Sequence, residues 1–310
     1  MTESLSSVTI SGGGYAAEIA LRGGQLMSLR HDQDELVVPA AQAEGSYAGA
    51  VLAPWPNRIA QASYDYDGTT YELPVTEEDT GAALHGQLHD VDFEIVSQKD
   101  SEVELTGRLE ATEGYPFTLD IVLFYRVSSD VGLASTLMAR QSTGTGTGTG
   151  TDATEQDHLA PALFGAGFHP YLKPGSAPLD ECRLKLPART VAVAETSGRI
   201  TGRRAVSGDL DLTNGPLLMG RVIDHTYTDL PEEGWTAELV HGPSGFVVRM
   251  IADTPWVQVC TGDAGLDRAG VALEPMSCPP DAFNSGEDLV HLSPGEWFRM
   301  GYTLETRHRD

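Results

Sequence analysis

The sequence predicts an all-β fold, an antiparallel sandwich or a larger stack of sheets, on three observations. Apolar residues recur at a period of two over long stretches, as at Leu119, Ile121, Leu123, Tyr125 and Val127. No window of a dozen residues carries a convincing 3.6-residue apolar stripe. Finally, 34 glycines and 18 prolines cut the chain into many short segments, the texture of strands joined by turns.

The elements follow in chain order. Tyr15, Ala17, Ile19 and Leu21 alternate and mark a half-buried strand. A short helical turn fits residues 40–44. β-rich runs at 93–96 and 103–109 precede the long alternation of 119–127, and a further strand is expected at 133–138. From Ser142 to Asp152 threonine and glycine alternate, with polar residues continuing to Asp157. Glycine carries a large ordering entropy and nothing here can be buried in exchange, so 142–157 is expected to be a flexible, exposed loop. A lid over a site is the alternative to a simple expansion of a hairpin. Strands are expected again entering Phe168 and at 182–186, 246–251 and 256–260. The alternation of Phe298, Met300, Tyr302 and Leu304 closes the chain.

The length permits two domains, but the uniform composition favours one spanning 1–310. A chain of this size buries about three quarters of its unfolded surface and needs neither disulfide nor metal for stability. Cys182, Cys260 and Cys278 are odd in number and widely spaced, and read as reduced thiols. The first residues have no basic start or apolar run of signal length, and no later stretch approaches a membrane span, so a cytoplasmic protein is expected. The net charge is -25, with 45 acidic against 20 basic residues, and the only lysines are Lys99, Lys173 and Lys185. Nucleic acid binding requires clustered cations that are absent. The acidity itself speaks to solubility rather than fold.

Three distant segments supply the chemistry: Pro56 to Ile59, Phe168 to Leu172, and Glu274 to Met276. They bring an arginine, a histidine and a carboxylate, a set suited to acid–base work on a neutral sugar. A hemiacetal ring opens when one group takes the anomeric hydroxyl proton while another protonates the ring oxygen, and a glutamate facing a histidine can do both. His169 precedes Pro170, which holds its backbone extended, and its ordinary pKa of about 6.5 suits proton transfer at neutral pH. Glu274 ends the apolar run 270–273 and is expected at a strand end facing a cleft, where burial raises its pKa. Arg58 follows the proline-pinned Trp55 and, with Asn57, can fork onto vicinal hydroxyls while Trp55 stacks on a sugar face. His85 is expected to hydrogen-bond a sugar, and Asp224 to accept from its hydroxyls. Each has a plain alternative: a core histidine, a surface carboxylate, a structural ion pair, a turn aspartate. His85 and His89 would be spaced for a metal only on a helix, which Gly86 opposes, so no metal is expected.

Together these segments resemble the aldose 1-epimerase (galactose mutarotase) family over nearly the whole chain. Asn57-Arg58-Ile59, Leu84-His85-Gly86, Phe168 to Leu172, Asp224-His225 and Glu274-Pro275 stand in that family's order and approximate spacing. Each tripeptide is weak evidence, whereas their ordered combination is strong. The resemblance implies a large antiparallel β-sandwich, the supersandwich of galactose mutarotase-like proteins. It also implies interconversion of the α and β anomers of an aldohexose without a cofactor. It assigns Glu274 as general base and His169 as general acid, with Arg58, His85, Asp224 and, more weakly, Asn57 binding the substrate. The Thr/Gly run departs from the family, which usually has a compact loop there.

The expected partner is a small sugar, on a monomer or homodimer. Two alternatives remain: a non-catalytic carbohydrate-binding protein, and a mutarotase for a phosphorylated or sulfonated hexose held by arginines such as Arg203 and Arg204. A glycoside hydrolase would need a second carboxylate, from Asp224 or Asp281, across the scissile bond.

Overall fold

The computed structural model describes residues 6–143, 160–262 and 265–308. The Thr/Gly loop expected at 142–157 lies, beyond Thr143, outside these residues. Strands dominate. Among the described residues the only α-helix is the single turn Ala282–Ser285, and no helix is long and apolar enough to cross a membrane.

The larger scaffold is an antiparallel sheet of eight strands. Its order is Glu94–Lys99, Glu102–Leu109, Leu119–Ser128, Gly132–Gln141, Phe298–His308, Phe246–Ala252, Trp235–His241 and Cys182–Lys185. Alternation places one face of each strand inside. In Leu119–Ser128 every second residue from Leu119 to Val127 is buried, as its periodicity predicts. The opposite face carries ion pairs such as Arg140 with Asp120.

The second sheet carries the candidate site. Its path runs Ile200–Ala205, Thr190–Ala194, Asp224–Thr228, Trp256–Cys260, Val271–Met276, Gly167–Phe168 and Val51–Leu52, and Tyr171–Leu172 also pairs with Val271–Met276. One core cluster takes Leu105, Leu123 and Leu239 from the first sheet and Val257, Val259 and Leu273 from the second, so the two sheets share their apolar interior. Burying that surface is the main driving force for their association.

Two local expectations are corrected. All six residues of Val271–Met276 are buried, so the strand does not stop at Leu273, and Glu274 sits inside it rather than at its end. A central strand covered on both faces shows no polar alternation to mark where it continues. Trp55 is also in the core. It packs edge-on against Phe283, and its Nε1 donates to the Ala83 carbonyl at 3.2 Å, so its ring is not available to a sugar. The strands of 190–205 escape a periodicity reading because they form the sheet edge and Ile200–Ala205 is almost wholly exposed.

The turn after His85 is fixed by sterics. Gly86 has φ +73°, and a Cβ there would lie 2.1 Å from the Ala53 carbonyl oxygen, which already accepts the amides of Gln87 and Leu88. Only glycine combines this conformation with so close a backbone approach. Gly86→Ala is therefore expected to destabilise the protein by more than about 1 kcal/mol, read as a lower midpoint in thermal or urea unfolding. An unchanged midpoint would refute this reading of the turn.

Candidate functional site

The site is assembled by register. Thr226, Gln258 and Glu274 are cross-strand partners on three neighbouring strands. The next row two residues along joins Asp224, Cys260, Ala272 and Tyr171. Since side chains alternate between faces, both rows point to one side of the sheet. His169 lies between Gly167–Phe168 and Tyr171–Leu172, two short strands that both pair with the strand of Glu274. Its backbone is tied on both sides, by its own amide to Ala50 and by the Gly49 amide to its carbonyl.

This brings the His169 Nε2 and Glu274 Oε1 atoms to 3.3 Å. Glu274 is only 2 % exposed and His169 5 %. The imidazole stacks on the Tyr171 ring at 5.1 Å and meets the His85 ring edge-on at 5.1 Å, so its orientation is fixed by packing. The second nitrogen, Nδ1 of His169, and the second oxygen, Oε2 of Glu274, have no hydrogen-bond partner. Unpartnered buried polar atoms cost about 1–3 kcal/mol each and mark places where a ligand supplies the missing bond.

Arg58 and His85 enter through the small ladder Arg58–Ile59 with Ala83–Leu84. The Asn57 amide donates to His85 Nδ1 at 3.2 Å, and the His85 amide returns a bond to the Asn57 carbonyl at 2.8 Å. Asn57 and His85, with φ 56° and 61°, both hold the left-handed conformation, as does Asp281 at 60°. Such residues cost about 1–3 kcal/mol and persist where the surroundings over-determine them. Asp281 shows how: its amide donates to the Arg58 carbonyl, and its Oδ1 accepts from the Ala60 amide and from Asn284. That carboxylate is spent on the loop and is no candidate for a hydrolase's second acid. Arg58 is gripped by Glu77, with Nε to Oε2 at 2.5 Å and the second terminal nitrogen to Oε1 at 2.6 Å.

A cavity of about 450 Å³, ample for a hexose, opens over Asn57, Arg58, Asp224 and Gln258. It forms where two strands part. Thr190–Ala194 and Asp224–Thr228 pair only through Thr190 with Thr228 and Val191 with Tyr227, and beyond that Ala192 to Thr196 face Asp224 to Thr226 across the gap. Gln258 holds the exposed Asp224 by an Nε2 bond of 2.6 Å and accepts from Thr226 at 2.5 Å. Gln258 is the cross-strand neighbour of Glu274, so Glu274 lies beside this wall on the same face of the sheet.

Electrostatics favour the pair in its neutral form. Burial, and then the Asp224 charge, push the Glu274 carboxyl well above its ordinary range, while Arg58 opposes them. Burial pushes the His169 imidazole down to about 4. Burial and then the neighbouring His169, Arg58 and His89 keep His85 neutral. His85, His169 and Glu274 stand within 4.8 Å, close enough to suggest a cation site. The Asn57 amide argues against it. A neutral ring that accepts at Nδ1 carries its proton on Nε2, so His85 offers the site an N–H rather than a lone pair.

The profile of the aldose 1-epimerase family matches residues 6–305. The chain belongs to that family. Its members are isomerases acting on small sugars. The chain is also 36 % identical over 301 residues, 96 % of its length, to YihR of Escherichia coli strain K12, an uncharacterized protein of which it spans 92 %. Among solved structures, a GalM/aldose epimerase homologue from C. elegans matches with a TM-score of 0.84 at 17 % identity, over 99 % of this chain and 100 % of that one. A galactose 1-epimerase from Lactobacillus acidophilus matches at 0.75 and 16 %, over 99 % and 95 %. At such identities these likenesses establish the fold, the galactose mutarotase-like sandwich.

All six residues singled out from the sequence converge. Asn57, Arg58 and Asp224 line the cavity, while His85, His169 and Glu274 cluster. His89 stands apart from that cluster and packs edge-on against Tyr47 at 5.9 Å. Glu77 and Gln258 were missed. Gln258 leaves a trace as the one polar residue in the run 256–260, whereas nothing in the sequence separates Glu77 from Glu78.

The Glu274 shift has a consequence for stability. A carboxyl whose folded pKa is raised stabilises the fold below its unfolded value near 4.5 and loses that contribution as pH rises through the folded pKa. Glu274→Gln removes the effect. Its thermal midpoint relative to wild type is expected to climb as pH is raised from 4.5 to 8, and a constant difference would contradict the shift.

Proposed function

We propose that this aldose 1-epimerase interconverts the α and β anomers of an aldohexose, with Glu274 as general base and His169 as general acid. The observation that carries the assignment is the rigid, buried pair at 3.3 Å, each member with one unpartnered polar atom. The pair's proton first shifts from Glu274 to His169 across the 3.3 Å contact; Glu274 then takes the O1 proton as the C1–O5 bond breaks and the aldehyde forms, and His169 delivers a proton to O5. Rotation about C1–C2 presents the other carbonyl face. In reclosure O5 attacks C1, His169 takes back the O5 proton, and Glu274 returns a proton to O1. The pair keeps one proton throughout, in keeping with shifts that resist both a second protonation and complete ionisation.

Arg58, His85, Asp224 and Asn57 bind the sugar. The His85 N–H donates into the site, Arg58 favours the ionised form of Glu274, and the Gln258-held Asp224 accepts from a hydroxyl at the cavity mouth. A merely sugar-binding protein needs no buried acid–base pair, which favours catalysis over that alternative.

A second reading concerns the substrate. Of the two adjacent arginines, Arg203 is occupied by Glu287 and the face of Trp256. Arg204 lines the cavity and has no carboxylate partner among the described residues. An unpaired guanidinium there suits a phosphorylated or sulfonated hexose.

Two measurements follow. In polarimetric mutarotation of freshly dissolved α-glucose and α-galactose, wild type accelerates relaxation, and Glu274→Gln and His169→Asn are each expected to lose at least about 100-fold in kcat. Full rates in both folded variants would refute the roles. Arg204→Ala should raise KM for a hexose phosphate or sulfonate about tenfold while leaving neutral sugars unaffected. Equal effects on both would dismiss the charged substrate.

A further inference from the structure

Arg58 is held in an unusual way for a residue that faces a neutral sugar. Both oxygens of Glu77 engage its guanidinium, through Nε at 2.5 Å and one terminal nitrogen at 2.6 Å. The Thr80 hydroxyl, also at 2.5 Å, steadies the same carboxylate. The ion pair is mostly shielded, its side chains 22 % and 24 % exposed. Among the described residues the other terminal nitrogen donates only to the Asn57 side-chain oxygen, at 3.4 Å, longer than a good hydrogen bond. The turn carrying Gly198 seals the stem, since a Cβ there would lie 2.7 Å from the Arg58 Cβ.

We propose that Glu77 is a positioning residue of this site, which fixes Arg58 with one nitrogen only weakly engaged and so open to the substrate, and attenuates the Arg58 charge felt by Glu274. The inference rests on Arg58 binding the substrate and Glu274 acting as base. Two neighbouring effects follow from one carboxylate. Geometrically, a bidentate pair removes the rotamer freedom of a long side chain, so the donor left over is already aimed when the sugar arrives. Electrostatically, Glu274 faces Arg58, Asp224, His169 and His85, with Tyr171 and Cys260 beside it in the sheet. Arg58 is the one permanent cation in that group, and Glu77 is the counter-ion bonded to it. With Glu77 in place, the base keeps its affinity for a proton.

The test is Glu77→Gln, assayed for mutarotation from pH 4 to 9 beside wild type, Glu274→Gln and His169→Asn. Loss of the negative charge makes the surroundings more positive, so protons leave the Glu274–His169 pair more easily. Both limbs of the kcat/KM profile are therefore expected to move to lower pH, and KM to rise about tenfold through the loosened Arg58. A purely structural role would lower activity equally at every pH. Glu77→Asp keeps the charge while shortening the reach: its profile should coincide with wild type while its KM rises. A folded Glu77→Gln with wild-type KM and an unmoved profile overturns the proposal. Should that variant not fold, Glu77→Asp with wild-type KM overturns it instead. If Glu274→Gln and His169→Asn keep full activity, the failure lies in the catalytic assignment and not in Glu77.

Discussion

A carboxylate and an imidazole that meet away from water impose the terms on everything around them. Burying two ionisable groups is expensive unless they share a proton or find partners, and here the His169–Glu274 contact at 3.3 Å is bought with main-chain geometry. One strand, Val271–Met276, carries Glu274 and pairs with the two short strands on either side of His169. The separation of the two groups is thereby held by sheet hydrogen bonding on either side of the short connection that carries His169, within the tolerance that the proposed proton transfer requires. Tyr171 and His85 complete the arrangement by clamping the imidazole plane.

Charge is distributed around that pair in a graded way. Asp224 raises the proton affinity of Glu274 and Arg58 lowers it. Glu77 tempers Arg58, and its own carboxyl sits below its ordinary range chiefly because Arg58 bonds to it. The left-handed backbones of Asn57, His85 and Asp281 belong to the same construction. They let three chain segments turn sharply enough for an amide, a ring nitrogen and a carbonyl to lock Arg58 and His85 beside each other. Strain is tolerated at these three residues because the hydrogen bonds leave the backbone no alternative.

Much of this was legible in the sequence because strand periodicity and short polar motifs are local signals. The half-buried strands 119–127 and 298–304 announce themselves by alternation, and the residues of the pair stand before prolines that fix the chain direction. Illegible were features that depend on what lies opposite. Glu274 read as a strand end because a fully buried central strand has no alternating pattern to continue. Trp55 read as a sugar platform, yet Phe283, more than two hundred residues away, claims its ring for the core. Glu77 was invisible, since an acidic turn looks the same whether its carboxylate meets water or an arginine.

The parting of the strands at the cavity mouth carries a further meaning. The hairpin of Thr190–Ala194 and Ile200–Ala205 is joined to the remainder of its sheet by two residue pairs, while Glu274 lies on a strand deeper in that sheet and His169 on the connection between two strands paired with it. One wall of the mouth is thus only lightly tied to the strands that hold the buried pair. On the proposed reading, changes in the hairpin can alter which sugar is admitted without disturbing the buried pair, a division of labour that lets specificity diverge while the reaction stays the same.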